Sequence, residues 1–413
     1  MLSKGACLYY VYNFVQKMAI VHKIKHILIN SRRQNISRSR YESFWEEKNM
    51  TKQYLVTGAT SHLGMFLVEM LLEQGNKVRI LAGAEEDCSC FDKYDVEICR
   101  GETFHKDTMR EFFTLEDPRN CILIHAEEQI SISLGKNLNM RRVNVSGAIN
   151  VTDMCIKYKI GRMVYLSSAY ALPGDTKYVS GEQFHFDRYL VEGDYAQTKA
   201  EASAYIMEKV VLNRYNAVLV LPTFMIGPGT RGDSDIAKIL DSYLNQNVAP
   251  VNGGHGFIDV RDVAAGIIAA AENGIAGAGY ILTGEYRTTV EFLNDVREAA
   301  GVEKSDDKMF PDWALKKNAV SKFIDMYYKI THKTNPKDAY ALFITSPYAR
   351  YEPENLVSGV PKAEEGQDTE NAEGSEESET KAYEKTAPAT SGIRIKDSIK
   401  ETVSYVRNIN TGS

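Results

Sequence analysis

Seven short apolar runs recur along the first three hundred residues. They are YLVTG (54–58), KVRIL (77–81), VEIC (96–99), CILIHA (121–126), RMVYLSS (162–168), AVLVLPT (217–223) and GYILTG (279–284). Their apolar residues are consecutive rather than alternating, which marks strands covered on both faces, as in a parallel sheet. Stretches of helical periodicity separate them, at 62–74, 106–113, 144–158, 195–213 and 260–273. Strand and helix in alternation predict one α/β sheet of about seven strands. Beyond Gly227 the rhythm breaks. GPGTRGDSD is loop-like, IAKILDSYLNQN has helical spacing, and residues 300–358 carry aromatics such as Phe310 and Trp313 without a strand rhythm. IRIKDSIKETVSYV (393–406) regains helical spacing and is predicted to dock back on the body.

Composition narrows the class. A chain of 413 residues supports one large or two moderate domains with a proper core. The net charge of −6 shows no basic excess that would argue for nucleic acid. The six cysteines form no C-x-x-C pair, and Cys88 and Cys90 have no His or Cys nearby, so reduced thiols in the cytoplasm are expected. No His pair has metal-ligand spacing. The most apolar N-terminal run, Ala6 to Ile29, is interrupted by Asn13, Gln16, Lys17, His22, Lys23 and Lys25, too polar for a bilayer span. Residues 361–390 are rich in acid and nearly free of apolar side chains, the composition of a disordered segment.

Candidate chemistry begins at the first strand. Residues 54–64 read YLVTGATSHLG, a strand that passes through small residues straight into a helix. This layout aims the free N–H groups of the first helical turn at one point, which suits a pyrophosphate. Gly58, Ser61 and Gly64 keep the outer glycines of a three-glycine phosphate turn and put serine in the middle, where its hydroxyl offers a donor. A tight turn without ligand is the other meaning of these residues. The candidate cofactor contacts here are Gly58, Thr60, Ser61, His62, Leu63 and Gly64.

Tyr195 and Lys199 stand at i and i+4 on one helix face. A lysine about 4 Å from a phenol, at an effective dielectric of about 20, favours the phenolate by roughly 4 kcal/mol, or about three pKa units. Tyr195 then becomes a usable acid/base for a carbonyl or hydroxyl. Tyr205 and Lys209 repeat the spacing about 15 Å along the same helix and on another face. Position favours Tyr195. It follows the strand RMVYLSS, which ends in Ser167 and Ser168, and sites in open α/β sheets lie at such carboxyl ends. Ser168 there donates to the oxygen that the tyrosine serves; a turn or helix cap is its ordinary alternative. The candidate catalytic set is Ser168, Tyr195 and Lys199.

VTGATSHLG, RVNVSGAINV, MVYLSSAY, FDRYLVEGDYAQTKAEAS, LPTFMIGPG and GHGFIDVRDVAAGIIAAAENG, in that order, resemble the extended short-chain dehydrogenase/reductases. Within them the chain is similar to the bacterial dihydroflavonol-reductase-like branch of the epimerase/dehydratase family, from about Lys52 to Val406. The resemblance implies a Rossmann-type doubly wound parallel sheet with a small C-terminal substrate-binding lid. It implies proton work by Ser168, Tyr195 and Lys199, with Lys199 also bonding the nicotinamide ribose. It adds Asn144 from the V-N-V helix, and Pro222 and Thr223 beside the nicotinamide, to the cofactor set. Glu102 stands where the family carries an Asp near adenine, and Ala126 among small residues packed on the cofactor. Residues 257–263 would hold the lid to the core. Ser61, Glu102, the Glu127-Glu128 pair after His125-Ala126, and Leu221 in place of an arginine depart from the family pattern. A carboxylate beside a pyrophosphate repels it unless it turns away. Glu85, Glu86 and Asp87 follow the second strand, and their charge disfavours a 2′-phosphate, so NAD is expected over NADP.

The expected division is as follows: residues 1–49 form an extension, disordered or upstream of the native start; 50–227 form the NAD(P)-binding domain, to which 257–299 return. Residues 228–256 and 300–360 form the lid, 361–390 the acidic insert, and 391–413 a C-terminal helix and tail. The expected function is a cytoplasmic NAD(P)-dependent oxidoreductase reducing a small-molecule ketone or aldehyde, or oxidising the alcohol. Neither nucleic acid nor membrane is an expected partner, and helices 144–158 and 195–213 are candidates for a homodimer interface. Two alternatives share these residues. One is a sugar-nucleotide epimerase/dehydratase, in which the hydride returns to the substrate. The other is a nucleotide-binding sensor weakened by Ser61, Glu102 and Glu127.

Overall fold

Tyr54, Leu55 and Val56 of strand β1 (Gln53–Thr57) are all fully buried, so this strand is covered on both faces. In the computed structural model the chain then forms α1 (His62–Glu73), β2 (Lys77–Ala82), β3 (Val96–Arg100) and β4 (Cys121–His125). A short turn of helix, Leu138–Arg141, and a π-helical turn, Arg142–Gly147, lead into α2 (Ala148–Tyr158). Then follow β5 (Arg162–Leu166), α3 (Asp194–Asn213), β6 (Ala217–Pro222), β7 (Phe224–Ile226) and β8 (Gly254–Asp259). The last elements are α4 (Val260–Asn273), β9 (Gly279–Leu282), β10 (Glu285–Thr288), α5 (Thr289–Ala299) and α6 (Ile395–Thr411). The structure describes residues 52–130, 137–173, 184–191, 193–229, 240, 244, 253–303 and 393–411. The expected extension at 1–49, the acidic insert, nearly all of the 235–246 helix and most of both lid segments lie outside the described residues.

The main sheet is wholly parallel, in the order β3-β2-β1-β4-β5-β6-β9. All seven predicted strands are in it. Successive side chains of a strand point to opposite faces, and the two cores follow that alternation. Leu55, Leu123, Tyr165 and Leu219 pack with α2 and α3 residues such as Val151, Met154, Ala200 and Ile206. Tyr54, Val56, Ile124, Val164 and Val220 pack on the other face with Leu67 and Leu71 of α1 and Val263 and Ile267 of α4. The chain leaves β1 toward β2 and β3, then returns to β4 on β1's other side. That reversal opens a crevice beyond the carboxyl ends of β1 and β4. Thr57 pairs with His125 there, and the Ala126 amide donates to the Thr57 carbonyl at 3.2 Å.

A second sheet, in the order β10-β8-β7, was not legible in the sequence. Of its strands, FMI is only three residues long, and GHGFID and EYRT are interrupted by glycine, histidine and charged residues, so no apolar run marks them. It builds a third core from Phe224, Phe257, Phe292 and Val296 with Ile395, Ile399 and Val403 of α6. Residues 257–263, expected to hold a lid, thus divide between β8 and the first turn of α4. Asp259 caps α4 through the Arg261 amide and accepts from the Arg261 guanidinium at 2.8 Å and from Ser398 Oγ at 2.5 Å. The tie from β8 to α6 is therefore a buried, multiply bonded carboxylate.

Burial alone would raise the Asp259 pKa, but the Arg261 and Ser398 donors outweigh it and hold the carboxyl below its ordinary value. A carboxyl held below its unfolded value stabilises above that value, near 3.9, and the contribution disappears as pH falls through the folded value. Ser398→Ala removes one donor from this buried carboxylate. It is expected to cost about 1–3 kcal/mol, read as a lower thermal midpoint at neutral pH, with the deficit shrinking as pH falls through the lowered folded value of Asp259.

Candidate functional site

The turn between β1 and α1 is fixed by close backbone approach. Gly58 has φ +72°, and a Cβ there would lie 2.6 Å from the Glu127 backbone. A Cβ on Gly64 would lie 2.0 Å from the Gly58 carbonyl oxygen. Ser61 caps α1: its Oγ accepts from the Gly64 amide at 3.0 Å and donates to the Gly58 carbonyl at 2.7 Å. Its one hydroxyl proton is spent inside the turn, which corrects the expectation of a serine donor for a phosphate. The amides of His62 and Leu63 belong to the first turn and have no acceptor within the helix. They are the donors this turn offers. The His62 ring, neutral because burial lowers its pKa, donates from Nε2 to the Pro228 carbonyl at 2.6 Å and anchors the 228 segment over the helix start.

Three carboxylates border the far end of the crevice. Glu86 accepts from the Gly83 amide at 2.7 Å and from the Thr60 hydroxyl, so Thr60 faces the end of β2. A Glu102 oxygen lies 3.0 Å from where a Cβ on Gly83 would sit. Burial pushes the Glu127 carboxyl up to about 7, with the Thr103 hydroxyl holding it lower and Glu102 and Glu86 pushing it higher. Glu127 thus shares the acidic far end with Glu102 and Glu86. The residues present fit a dinucleotide: a glycine turn a Cβ would fill, helix amides at its mouth, and acceptors where a ribose diol would donate.

At the near end, the carboxyl edge of β5 meets α3. Ser168 is buried, caps the following turn through the Tyr170 amide, and holds the Tyr195 phenol lower than burial alone would. Lys199, 1% exposed, donates to the Leu166 carbonyl at 2.7 Å. The three predicted residues converge. A fourth group joins them: Oε2 of Glu128 lies 2.9 Å from Tyr195 Oη and 2.7 Å from Lys199 Nζ. The expected lowering of the Tyr195 pKa by Lys199 is therefore corrected. The phenol is raised well above 10.0, by burial first and then by Glu128, with Ser168 opposing. Burial alone would lower Lys199, but Glu128 and the Tyr165 phenol raise it. The sequence signal was present in the two adjacent acids after β4; only the fold shows that the second reaches the tyrosine.

Asn144, placed by the sequence on the cofactor, is committed elsewhere. Its Nδ2 donates to the Gln129 carbonyl at 2.9 Å and to Thr198 Oγ1 at 3.1 Å, and its Oδ1 accepts from the Gln129 amide at 2.8 Å. Both amide protons are used, so Asn144 holds the 126–130 segment against α3. Pro222 ends β6 rather than lying in a loop, and Thr223 is tied to Leu282 and Thr283 at the end of β9. Ala126 is buried beside the Gly58 turn. The rival pair is spent at the surface: Tyr205 donates to Asp153 at 2.6 Å, and Lys209 pairs with Glu208. His125 is a packed core residue, its Nδ1 2.6 Å from the Thr57 hydroxyl and its pKa pushed down to about 3 by burial and by Lys199. Among the described residues no group of His, Cys, Asp or Glu has the arrangement of a metal site, and no helix is long and apolar enough to cross a membrane.

A doubly wound parallel sheet, a glycine turn at the β1–α1 junction and a Tyr-x-x-x-Lys helix at the β5 edge define the class, the extended short-chain dehydrogenase/reductases. The chain belongs to the NAD dependent epimerase/dehydratase family, whose sequence profile matches residues 54–282. It is 30% identical over 248 residues to sterol demethylase protein B of Methylococcus capsulatus, spanning 60% of this chain and 74% of that protein. It is 25% identical to a 4-hydroxy-2-methyl-3-oxo-4-farnesyl-3,4-dihydroquinoline-1-oxide ketoreductase of Stigmatella aurantiaca, over 60% of this chain and 73% of that one. The fold is similar to the UDP-glucose 4-epimerase of Thermus thermophilus solved with NAD, at a TM-score of 0.54 and 19% identity, over 86% of this chain and 99% of that one.

The raised Glu127 pKa carries a stability consequence. A carboxyl whose folded value exceeds its ordinary 4.5 stabilises fully below that value, and the contribution is lost as pH rises to about 7. Glu127→Gln is expected to match the native chain at pH about 4 and to be more stable at pH about 8, by an amount of order 2 kcal/mol. Thermal melts across that range check it.

Proposed function

We propose that this protein is an NAD-dependent oxidoreductase that reduces a ketone or aldehyde through Ser168, Tyr195 and Lys199. The observation that carries the reading is the convergence of Tyr195 and the buried Lys199 on one carboxylate at the carboxyl edge of β5, where Ser168 caps the following turn and Lys199 donates to the Leu166 carbonyl. Gly58, Thr60, Ser61 and Gly64 shape the turn, and the His62 and Leu63 amides face the pyrophosphate. Ala126 packs along the cofactor, and Pro222 and Thr223 border its nicotinamide end. Glu86 and Glu102 accept from the adenosine ribose diol and repel a 2′-phosphate, which favours NAD over NADP. Bound NADH supplies the hydride for the substrate carbon. Tyr195, a neutral phenol, gives its proton to the substrate oxygen. Ser168 donates a hydrogen bond to that same oxygen and fixes its direction. Lys199 braces the tyrosine from below through the Leu166 carbonyl and Glu128. The ketoreductase named among the relatives supports reduction.

The full-length protein is to be assayed with NADH and NADPH against a panel of ketones, aldehydes and UDP-sugars, beside Tyr195→Phe. The expected outcome is turnover with NADH in excess of NADPH, reduced about 10²- to 10⁴-fold by Tyr195→Phe, with the thermal shift by NAD retained in the variant. Equal turnover by both proteins rejects the assignment. Interconversion of UDP-sugars without net change in the nucleotide would instead make it an epimerase.

A further inference from the structure

One carboxylate oxygen, Glu128 Oε2, sits in contact with both members of the Tyr-Lys pair, 2.9 Å from the phenol and 2.7 Å from the ammonium. The Glu128 side chain is 10% exposed and the Lys199 side chain 1%, so water screens this contact weakly. The neighbouring residue, Gln129, is bonded through both its amide and its carbonyl to Asn144, which fixes the segment bearing the carboxylate. We infer that Glu128 is a positioning residue for Tyr195: it matches the charge of Lys199 and holds the phenol in its neutral, proton-bearing form.

The argument is electrostatic. An ammonium alone beside a phenol favours phenolate, because the opposite charge stabilises the ionised form. Here the ammonium is already matched. The phenol O–H donates directly to the carboxylate, so ionising Tyr195 would set two anions against each other across 2.9 Å. The other groups facing the pair do not reverse this. From α3 come Tyr195 and Lys199 themselves. From β5 comes Tyr165, whose ring centroid is 5.1 Å from Lys199 Nζ. From β4 comes His125, stacked on Tyr165 and neutral. After β5 comes Ser168, an uncharged hydroxyl that only opposes the rise of the phenol. The raised phenol noted above agrees with this placement.

The inference deepens the proposed function, and its consequence in turnover rests on that reading. Its test does not, because it needs neither substrate nor nucleotide. The ultraviolet absorbance of tyrosinate is to be followed against pH in the native chain, Tyr195→Phe, Glu128→Gln and the double variant. The native chain and Tyr195→Phe are expected to titrate together up to pH about 10. Glu128→Gln, with Lys199 left unmatched, is expected to gain one tyrosinate at least about one pH unit lower, absent from the double variant. A tyrosinate that forms in the native chain clearly below pH about 10 and is missing in Tyr195→Phe overturns the inference, and this comparison decides even where Glu128→Gln does not fold. So does a folded Glu128→Gln that titrates like the native chain. A protein that titrates as expected yet reduces no carbonyl would sink the proposed function and leave the charge assignment standing.

Discussion

The site depends on where Lys199 spends its charge. A buried ammonium needs partners, and this one has the Leu166 carbonyl on the strand side and Glu128 on the crevice side. Because Tyr195 donates to the same oxygen of Glu128, the acid, the base and the phenol act as one electrostatic unit. Removing the carboxylate changes the proton affinity of both the phenol and the ammonium. The unit is held from three elements: α3 carries tyrosine and lysine, β5 supplies the carbonyl, and the segment after β4 supplies the carboxylate. Asn144 ties that last segment down from the π-helical turn before α2.

The other end of the crevice obeys a different constraint, that of space. Gly58 and Gly64 let the β1–α1 turn press against its own carbonyl and the Glu127 backbone, and any side chain at either point would collide. Ser61 serves the turn as cap and brace, so backbone amides remain as its donors. Around this turn Glu86, Glu102 and Glu127 make the far end of the crevice acidic. The same crevice is thus neutral where Lys199 and Glu128 cancel, and negative at the other end.

The β10-β8-β7 sheet forms its own core with α5 and α6, at the carboxyl end of β6. Asp259 is its fastening point, since one carboxylate caps α4, pairs with Arg261 and accepts from Ser398 of α6. The final helix is thereby bonded to the strand that opens α4, although 139 residues separate the two partners.

The sequence by itself determined the seven parallel strands, the helices between them, the glycine turn and the Tyr195–Lys199 pair. Each is written in a local pattern: consecutive apolar residues covered on both faces, a helical period, or a spacing of four on one helix. Helical spacing over 393–406 also foretold a docked helix, and Ile395, Ile399 and Val403 are buried there. Tertiary structure decided how the polar groups were spent. Asn144 bonds the Gln129 backbone and the Thr198 hydroxyl, Ser61 donates within its own turn, and Glu128, 67 residues from Tyr195 in the chain, reverses the proton affinity that Lys199 alone would have set. Hydrophobic burial repeats with the period of an element and so shows in one dimension. A buried charge takes its meaning from whichever charge the folded chain brings within hydrogen-bonding distance, and no local spacing records that.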